Sequence, residues 1–412
     1  MAISAETKER RAASAIVVSA LLTIAIGTTW ESTHSSGPAR LPIDSDDGDD
    51  RARGATVLAH VPARAKDPTA SAREALRAGP QGLGADRTAA VRLARLDIVT
   101  ARERADPRYL GRAEGALAPW WDLPSPPSDV LLLRATIRQS RHEFEPALTD
   151  LDRLVTLSPR EPQAWLTRAS VLTVRGRYPE ALQSCERLGE LATPLVLAAC
   201  RAPALGMTGH LAEAAQALAK VIGQATTLTE AIWARAVLAD LARWSSDARG
   251  AEALLRANLS VAPNDGQARA SLADLLLDEG RGAEVAALVA GHEEDDGLLL
   301  RDALAAEPRA NAPAVSKMAA RFAASRLRGD RVHLREEARF ALATEPQPMR
   351  ALTLASENWQ VQREPDDARV LLEAALAAHD ASRAAPVLLW LEQTGMEWRR
   401  LRELATALRG RS

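Results

Sequence analysis

Aromatic residues are scarce in this 412-residue chain, where phenylalanine, tyrosine and tryptophan together make up 3% of the sequence. Isoleucine is also infrequent beyond the N-terminus, so the residues that β-strands favour are in short supply. Apolar residues still reach 47%, and alanine and leucine supply most of them. A core of this composition suits helices that pack at close distance, so the composition predicts an all-α protein.

The chain also lacks the features of several functional classes. Its net charge of -2, with 26% charged residues, provides no basic surface for nucleic acid. No Gly-x-Ser-x-Gly motif, phosphate-binding loop or dinucleotide-binding fingerprint is present. The seven histidines show no metal-ligand spacing and stand at His34, His60, His142, His210, His292, His333 and His379. The sequence therefore predicts no enzyme activity, no cofactor, no metal site and no nucleic-acid partner.

Residues 1–30 differ from the rest of the chain. Three basic residues precede the uncharged run Ala12–Gly27, and Trp30 follows it. A basic flank before an apolar run of this length predicts a signal peptide or an N-terminal transmembrane anchor. No Ala-x-Ala cleavage site follows, which favours the anchor, although both interpretations stay open. With the basic flank inside, the remaining chain is expected to be exported: anchored and facing the periplasm or exterior, or secreted if the signal is cleaved.

The composition of residues 31–83 predicts a flexible linker, with a possible half-repeat at Ser71–Ala78. Serine, glycine, proline and aspartate are frequent here, and no helical period persists. The acidic run Asp44–Asp50 does not match a calcium-binding loop, because placing Gly48 at the sixth position puts Ile43 at the first ligand position. We interpret this run as a solvated acidic tether.

Residues 84–412 carry a repeat of about 34 residues. The two clearest copies begin at Ser128 and Pro162, and each has a large residue at position 4 and alanine at positions 8 and 20. These residues are Leu131, Ala135 and Ala147 in one copy and Trp165, Ala169 and Ala181 in the other. The pattern resembles the tetratricopeptide repeat (TPR), a hairpin of two helices that approach closely where alanine stands.

The resemblance implies an all-α fold, an α-solenoid (superhelix) of about seven TPR-like helix hairpins that ends in C-terminal capping helices. Together with the N-terminal segment, it indicates a bacterial protein of this family that is exported or membrane-anchored. Two Trp-containing positions test the register. We expect Trp120-Trp121 to plug the end of a neighbouring hairpin, with an exposed binding patch as the alternative, and we expect Trp165 to be buried between the helices of its own repeat.

Later copies of the repeat contain departures. Pro203 falls inside the first helix of the third copy and is expected to kink or shorten it. A lengthened turn is predicted around Ser245-Ser246, and an inserted helix is predicted at Gly297–Ala306. Phe322 stands at position 8 of the copy that begins at Val315, where a small residue is expected.

In repeats of this family, the first helices line a concave groove with their positions 2, 5, 9 and 12. The candidate groove residues are Asp129, Leu132, Thr136, Gln139, Gln163, Leu166, Ser170, Thr173, Gln267, Asp274, Arg350, Glu357 and Gln360. They are mixed and mostly neutral, and they lack the Lys and Asn with which chaperone-binding members clamp a peptide C-terminus.

The resemblance implies a non-catalytic scaffold or adaptor for protein–protein interaction that binds a peptide or protein in this groove. The alternative is an accessory subunit that docks by its end or outer face onto an envelope enzyme or transporter. The expected partner is therefore a protein or peptide, and the membrane is contacted through the N-terminal segment only.

Cys185 and Cys200 are the only cysteines. In the repeat register, Cys185 lies in a second helix that faces the next repeat, and Cys200 lies in the first helix of that repeat. A disulfide would close a loop of roughly 15 residues and contribute about 3 kcal/mol in the chain-entropy model, and exported proteins favour such bonds. Cysteine also packs well as a small apolar residue, so a bridge and simple core packing both stay open.

Overall fold

The computed structural model describes residues 70, 73–74, 86–103, 106–306, 312–344 and 346–410. The N-terminal apolar run lies outside these residues. So does Ala55–Val61 (ATVLAHV), whose sequence predicts a short extended segment. The described residues form no strand and contain nineteen α-helices, which confirms the predicted all-α fold. The first ten are α1 Arg87–Glu103, α2 Arg108–Trp121, α3 Ser128–Ser140, α4 Phe144–Leu157, α5 Pro162–Val174, α6 Tyr178–Glu186, α7 Pro194–Met207, α8 Leu211–Val221, α9 Leu228–Trp244 and α10 Ala248–Val261. The others are α11 Gly266–Asp278, α12 Gly282–Val289, α13 Asp296–Ala305, α14 Pro313–Arg328, α15 Leu334–Ala343, α16 Pro348–Val361, α17 Pro365–Ala377, α18 Ala385–Thr394 and α19 Arg399–Arg409.

The helices form two layers. Consecutive odd-numbered helices, such as α1 and α3 or α3 and α5, pack against each other in almost every case from α1 to α19. Successive even-numbered helices of the described residues make no comparable contact. The odd-numbered helices therefore form the inner layer and the even-numbered helices the outer layer. This arrangement is the predicted TPR-like α-solenoid.

Five hairpins, from α3–α4 to α11–α12, share a turn of three residues. The middle residue of each turn adopts the left-handed conformation, with φ between 61° and 78°, at His142, Gly176, Gly209, Ser246 and Gly280. The next residue donates its N–H to the carbonyl five residues earlier, at 2.8–3.0 Å, as in a Schellman motif. The turn at Ser246 has the common length, so the predicted lengthening is wrong; the extra residues extend α9, which has 17 residues.

Alanine at position 8 is buried at the crossing point of each clear hairpin, as Ala135, Ala169 and Ala273 show. The same Leu-to-Ala spacing of four recurs in α13, α15 and α17, where all six residues are buried: Leu299, Ala303, Leu334, Ala338, Leu371 and Ala375. Helix α13 packs against α11 and α15 in the inner layer and pairs with α14. The helix predicted at Gly297–Ala306 is present as α13, but the prediction that it is an insertion is wrong, because α13 is the first helix of a repeat.

Pro203 does not shorten α7, which runs from Pro194 to Met207. The N–H that proline lacks would have bonded to the carbonyl of Ala199. The loss of that bond is tolerated because packing holds the helix on both sides of the proline, where Ala202 and Ala204 are buried.

Cys185 of α6 and Cys200 of α7 are joined by a disulfide bond. Their Cα atoms are 5.8 Å apart, and both residues are buried. Because α6 ends one repeat and α7 begins the next, the bond ties two neighbouring hairpins together.

The tryptophans of α2 and α5 are half-buried. Trp120 and Trp121 pack against the core of the first hairpins, and the carbonyl of Trp121 accepts a hydrogen bond from Arg134 of α3. Both rings therefore pack partly against the neighbouring hairpin, as the expected plug does, and stay partly exposed. Trp165 is less buried than predicted, because its Nε1 reaches out to donate to the carbonyl of Pro159 at 2.9 Å.

Candidate functional site

The carboxyl ends of the inner helices α3, α5 and α7 meet the C-terminal repeats. Arg175, which follows α5, donates hydrogen bonds to the carbonyls of Gln360 and Val361 at 2.8 and 2.6 Å. The backbone N–H of Arg363 donates to the carbonyl of Val174 at 2.8 Å. These residues are up to 186 positions apart in the chain. The superhelix therefore closes on itself, and we call this contact the closure.

The closure also has an apolar part. Trp390 of α18 is buried and donates its indole N–H to the hydroxyl of Tyr178 at 2.9 Å. That hydroxyl donates in turn to the carbonyl of Arg363 at 3.3 Å. Burial raises the pKa of Tyr178 well above its ordinary value. Trp359 packs edge-on against Trp390 with ring centroids 5.5 Å apart, so the closure buries large aromatic surfaces as well as polar groups.

Charged side chains of the inner layer converge next to the closure. Arg243 of α9 donates to both carboxylate oxygens of Asp366 in α17, at 2.9 and 2.6 Å, across 123 residues of sequence. Arg369, one turn further along α17, donates to Asp278 of α11 at 2.8 Å. Asp274 of α11 receives hydrogen bonds from two further arginines, on α13 and α15. We call these groups, with those around Arg335, the inner charged cluster.

Arg335 of α15 lies within 3.3 Å of three carboxylates, those of Glu336, Glu364 and Asp367. Burial acts to raise the pKa of Glu336, and Arg335 outweighs it, so that this pKa falls to about 2. Burial and the neighbouring Asp367 together raise the pKa of Glu364 above its ordinary value. One guanidinium cannot stabilise three carboxylates equally, so the cluster holds an acid that protonates more readily than a free glutamate.

The cluster can pair charges and bind polar groups where its side chains stay partly accessible: the exposed fraction is 14% for Arg243 and 35% for Asp366. Arginine lowers the pKa of the Glu336 and Asp366 carboxyl groups, whereas burial and Asp367 raise the pKa of Glu364. Among the described residues, no three or more His, Cys, Asp or Glu side chains are grouped as metal ligands.

The predicted groove residues do not form one accessible surface. On α3 and α5, six of them are buried: Leu132, Thr136, Gln139, Gln163, Leu166 and Thr173. Asp129, Ser170 and Asp274 are half-buried, and Gln267 is exposed. The remaining three, Arg350, Glu357 and Gln360, lie on α16, which belongs to the outer layer. Asp274 is therefore the predicted groove residue that belongs to the inner charged cluster.

The structure also shows a surface that the groove pattern did not indicate. A shallow depression of about 310 Å³ runs along α2 and is lined by Gly111, Glu114, Gly115, Ala118, Trp121 and Asp122. A Cβ atom placed on either glycine would meet nothing within 4 Å. The spacing of four residues between the two glycines in an exposed helix is the signal by which the sequence could have revealed this surface.

Comparisons with known proteins find structures that are only loosely similar. No protein-family model matches the chain, and no curated protein matches it. A crystal structure of a tetratricopeptide repeat protein from Parabacteroides merdae is similar, with 16% identity over 77% of this chain and 99% of that chain and a TM-score of 0.30. The TPR domain of P58(IPK) gives 14% identity, 78% and 97% coverage and a TM-score of 0.22. A structure of a human IFIT1 dimer with m7Gppp-AAAA has 11% identity over 82% of this chain and 92% of that chain, with a TM-score of 0.38.

These superpositions are too loose to identify a shared site. The assignment of the fold therefore depends on the observed pairing of this chain's own helices. Among the helices of the described residues, none has the length and hydropathy that crossing a bilayer requires. The predicted anchor at residues 12–30 lies outside those residues.

Proposed function

Because the chain folds as a solenoid of TPR-like helix hairpins, we propose that it is a non-catalytic scaffold that docks a partner protein through the outer face of α2. The observation that carries this proposal is the burial of the predicted groove. Six of the eight predicted groove residues on α3 and α5 are buried, and the closure joins the C-terminal repeats to the carboxyl ends of the same two helices. A partner would have to displace the chain's own helices to reach them.

The α2 depression suits a partner helix. Gly111, Gly115 and Ala118 follow one another at spacings of four and three residues, so they share one helical face without bulky side chains. A second helix could approach α2 closely there. Trp121 at one end supplies the large aromatic surface that is enriched in interface hot spots. Asp122 adds negative charge, whereas Glu114 is already paired with Arg141, so we expect the partner helix to carry a basic residue near the end that meets Asp122.

The test is crosslinking in the native cell followed by identification of the bound partner. Gly111→Leu with Gly115→Leu fills the depression without a clash, since both Cβ positions face open space. We expect this variant to lose the crosslinked partner while its thermal stability is kept. Gly223→Leu, also at an exposed glycine with open space around its Cβ, is the matched control and should keep the partner. Loss with the control as well, or retention in the filled variant, would contradict the assignment.

A second candidate site is the inner charged cluster, because its side chains stay partly accessible. A peptide with paired charges could exchange with the intramolecular ion pairs there. Under this alternative, the α2 variant keeps the partner and Asp274→Asn loses it.

Export remains part of the proposal. The Cys185–Cys200 disulfide supports it, because such bonds persist in oxidising compartments. The N-terminal sequence of the mature protein and its distribution between membrane and soluble fractions would decide between an anchor and a cleaved signal. A mature protein that begins at Met1 and stays in the cytoplasm would contradict both.

A further inference from the structure

His142 connects the first clear repeat to the C-terminal repeats. It stands at the left-handed position of the α3–α4 turn, with φ 61°, and its ring stacks on Phe144 with centroids 5.4 Å apart. Its Nδ1 lies 2.9 Å from Nε2 of Gln362, which is buried and follows α16. The next residue, Arg363, makes the backbone hydrogen bond to Val174. The partner of His142 is therefore the residue next to the one that makes the main-chain hydrogen bond of the closure.

This contact has a chemical condition. The amide nitrogen of Gln362 only donates, so Nδ1 of His142 must accept, and a histidine nitrogen accepts only when it carries no proton. Protonation would place two N–H groups against each other at 2.9 Å. The ring is also half-buried, and a charged imidazolium loses hydration there.

The charged groups that face His142 come from α15 and the residue before it. Arg335 and His333 disfavour a protonated ring, and Glu336 favours it. Burial has the largest influence, and the result is a pKa lowered to about 4. When the closure opens, the ring returns to water, where a histidine titrates near 6.5. The closed form therefore has its full advantage above pH 6.5 and loses it as the pH falls towards 4.

We propose that the contact between His142 and Gln362 is a proton-sensitive latch, and that protonation of His142 weakens the closure between the C-terminal repeats and the turns of the preceding repeats. The hairpins themselves stay folded, because they are held by apolar packing and by the disulfide. The released form would expose the carboxyl ends of α3 and α5.

Hydrogen exchange of the Arg363 amide reports the closure directly, because this N–H bonds across it at 2.8 Å. With the two pKa values above, protection of this amide, corrected for the intrinsic rate, is expected to fall about 70-fold between pH 7.5 and pH 4.5. Amides within α5 should keep their protection. Unchanged protection of Arg363 at pH 4.5, or an equal loss throughout α5, would overturn the proposal.

Two variants separate the latch from general acid effects. His142→Asn tolerates the left-handed turn and does not titrate, so Arg363 should keep its protection at pH 4.5. Gln362→Glu offers a carboxylate to the protonated ring, so the pKa of His142, followed by NMR, should rise and the closure should persist at pH 4.5. If His142→Asn opens as the wild type does, or if Gln362→Glu opens more readily, the latch does not exist.

Discussion

Replacing Gly280 by alanine tests the turn that recurs through the solenoid. Gly280 is the left-handed residue of the α11–α12 turn, with φ 71°, and a Cβ added there would meet nothing within 4 Å. Any effect must therefore come from the backbone conformation. Alanine in the left-handed region costs about 1–2 kcal/mol. We expect Gly280→Ala to lower the free energy of unfolding by this amount.

Gly111→Ala is the matched control, because its Cβ also meets nothing within 4 Å. Gly111 lies inside α2, where alanine restricts the unfolded chain and favours the helix by about 0.5–1 kcal/mol. The same chemical change should thus destabilise the protein at one site and stabilise it at the other.

Urea unfolding followed by circular dichroism measures both variants, with the midpoint shifting and the slope unchanged. Since a solenoid unfolds partly repeat by repeat, hydrogen exchange of the Arg281 amide, which bonds to the carbonyl of Leu276 at 2.9 Å, measures the local effect. A neutral or stabilising Gly280→Ala would refute the left-handed turn. A destabilising Gly111→Ala would show that the α2 face is covered.

Three further predictions concern the packing and the closure. Cys185→Ala with Cys200→Ala should lower the free energy of unfolding by about 3 kcal/mol; reductant should destabilise the wild type similarly and leave this variant unaffected. A double-mutant cycle with Arg243→Met and Asp366→Asn should give a coupling free energy of about 1 kcal/mol. This coupling should shrink with added salt, because Asp366 is 35% exposed, and a salt-independent value would argue against an ionic interaction in this pair. Ala169→Leu, at a buried helix crossing, should cost about 1–3 kcal/mol in thermal or urea unfolding, and the same change at an exposed helical alanine should be neutral.

Much of the local fold could be predicted from residue spacing. Pro162 and Pro365 stand at the first residue of α5 and α17, where proline loses no hydrogen bond. At the fifteenth position of the repeat, five hairpins adopt the left-handed conformation that glycine favours, and His142 or Ser246 replaces glycine in two of them. These features depend on contacts within about 34 residues, which a single repeat contains.

The repeat register assigned from the sequence is wrong after α12, and one residue of the sequence indicated the error. Phe322 falls at position 8 of the assigned register, where a small residue is required. This mismatch indicated that the assigned start of the repeat was displaced by one helix. The spacing of Leu334 to Ala338 marks α15, rather than α14, as the first helix of its hairpin. A shift of one helix exchanges the inner and outer layers, which is why Arg350 and Glu357 were assigned to the groove although α16 is an outer helix.

The sequence by itself determined the hairpins, because the alanine crossings, the turn residues and the helix ends act over distances shorter than one repeat. Only the tertiary structure decided which surfaces remain available. The closure joins Val174 to Arg363 and His142 to Gln362, residues that share no repeat and no periodic pattern. Their meeting depends on the small rotation between successive hairpins, summed along the solenoid. No window of sequence contains that sum, so the closure and the pairing of Arg243 with Asp366 are visible only when the whole superhelix is assembled.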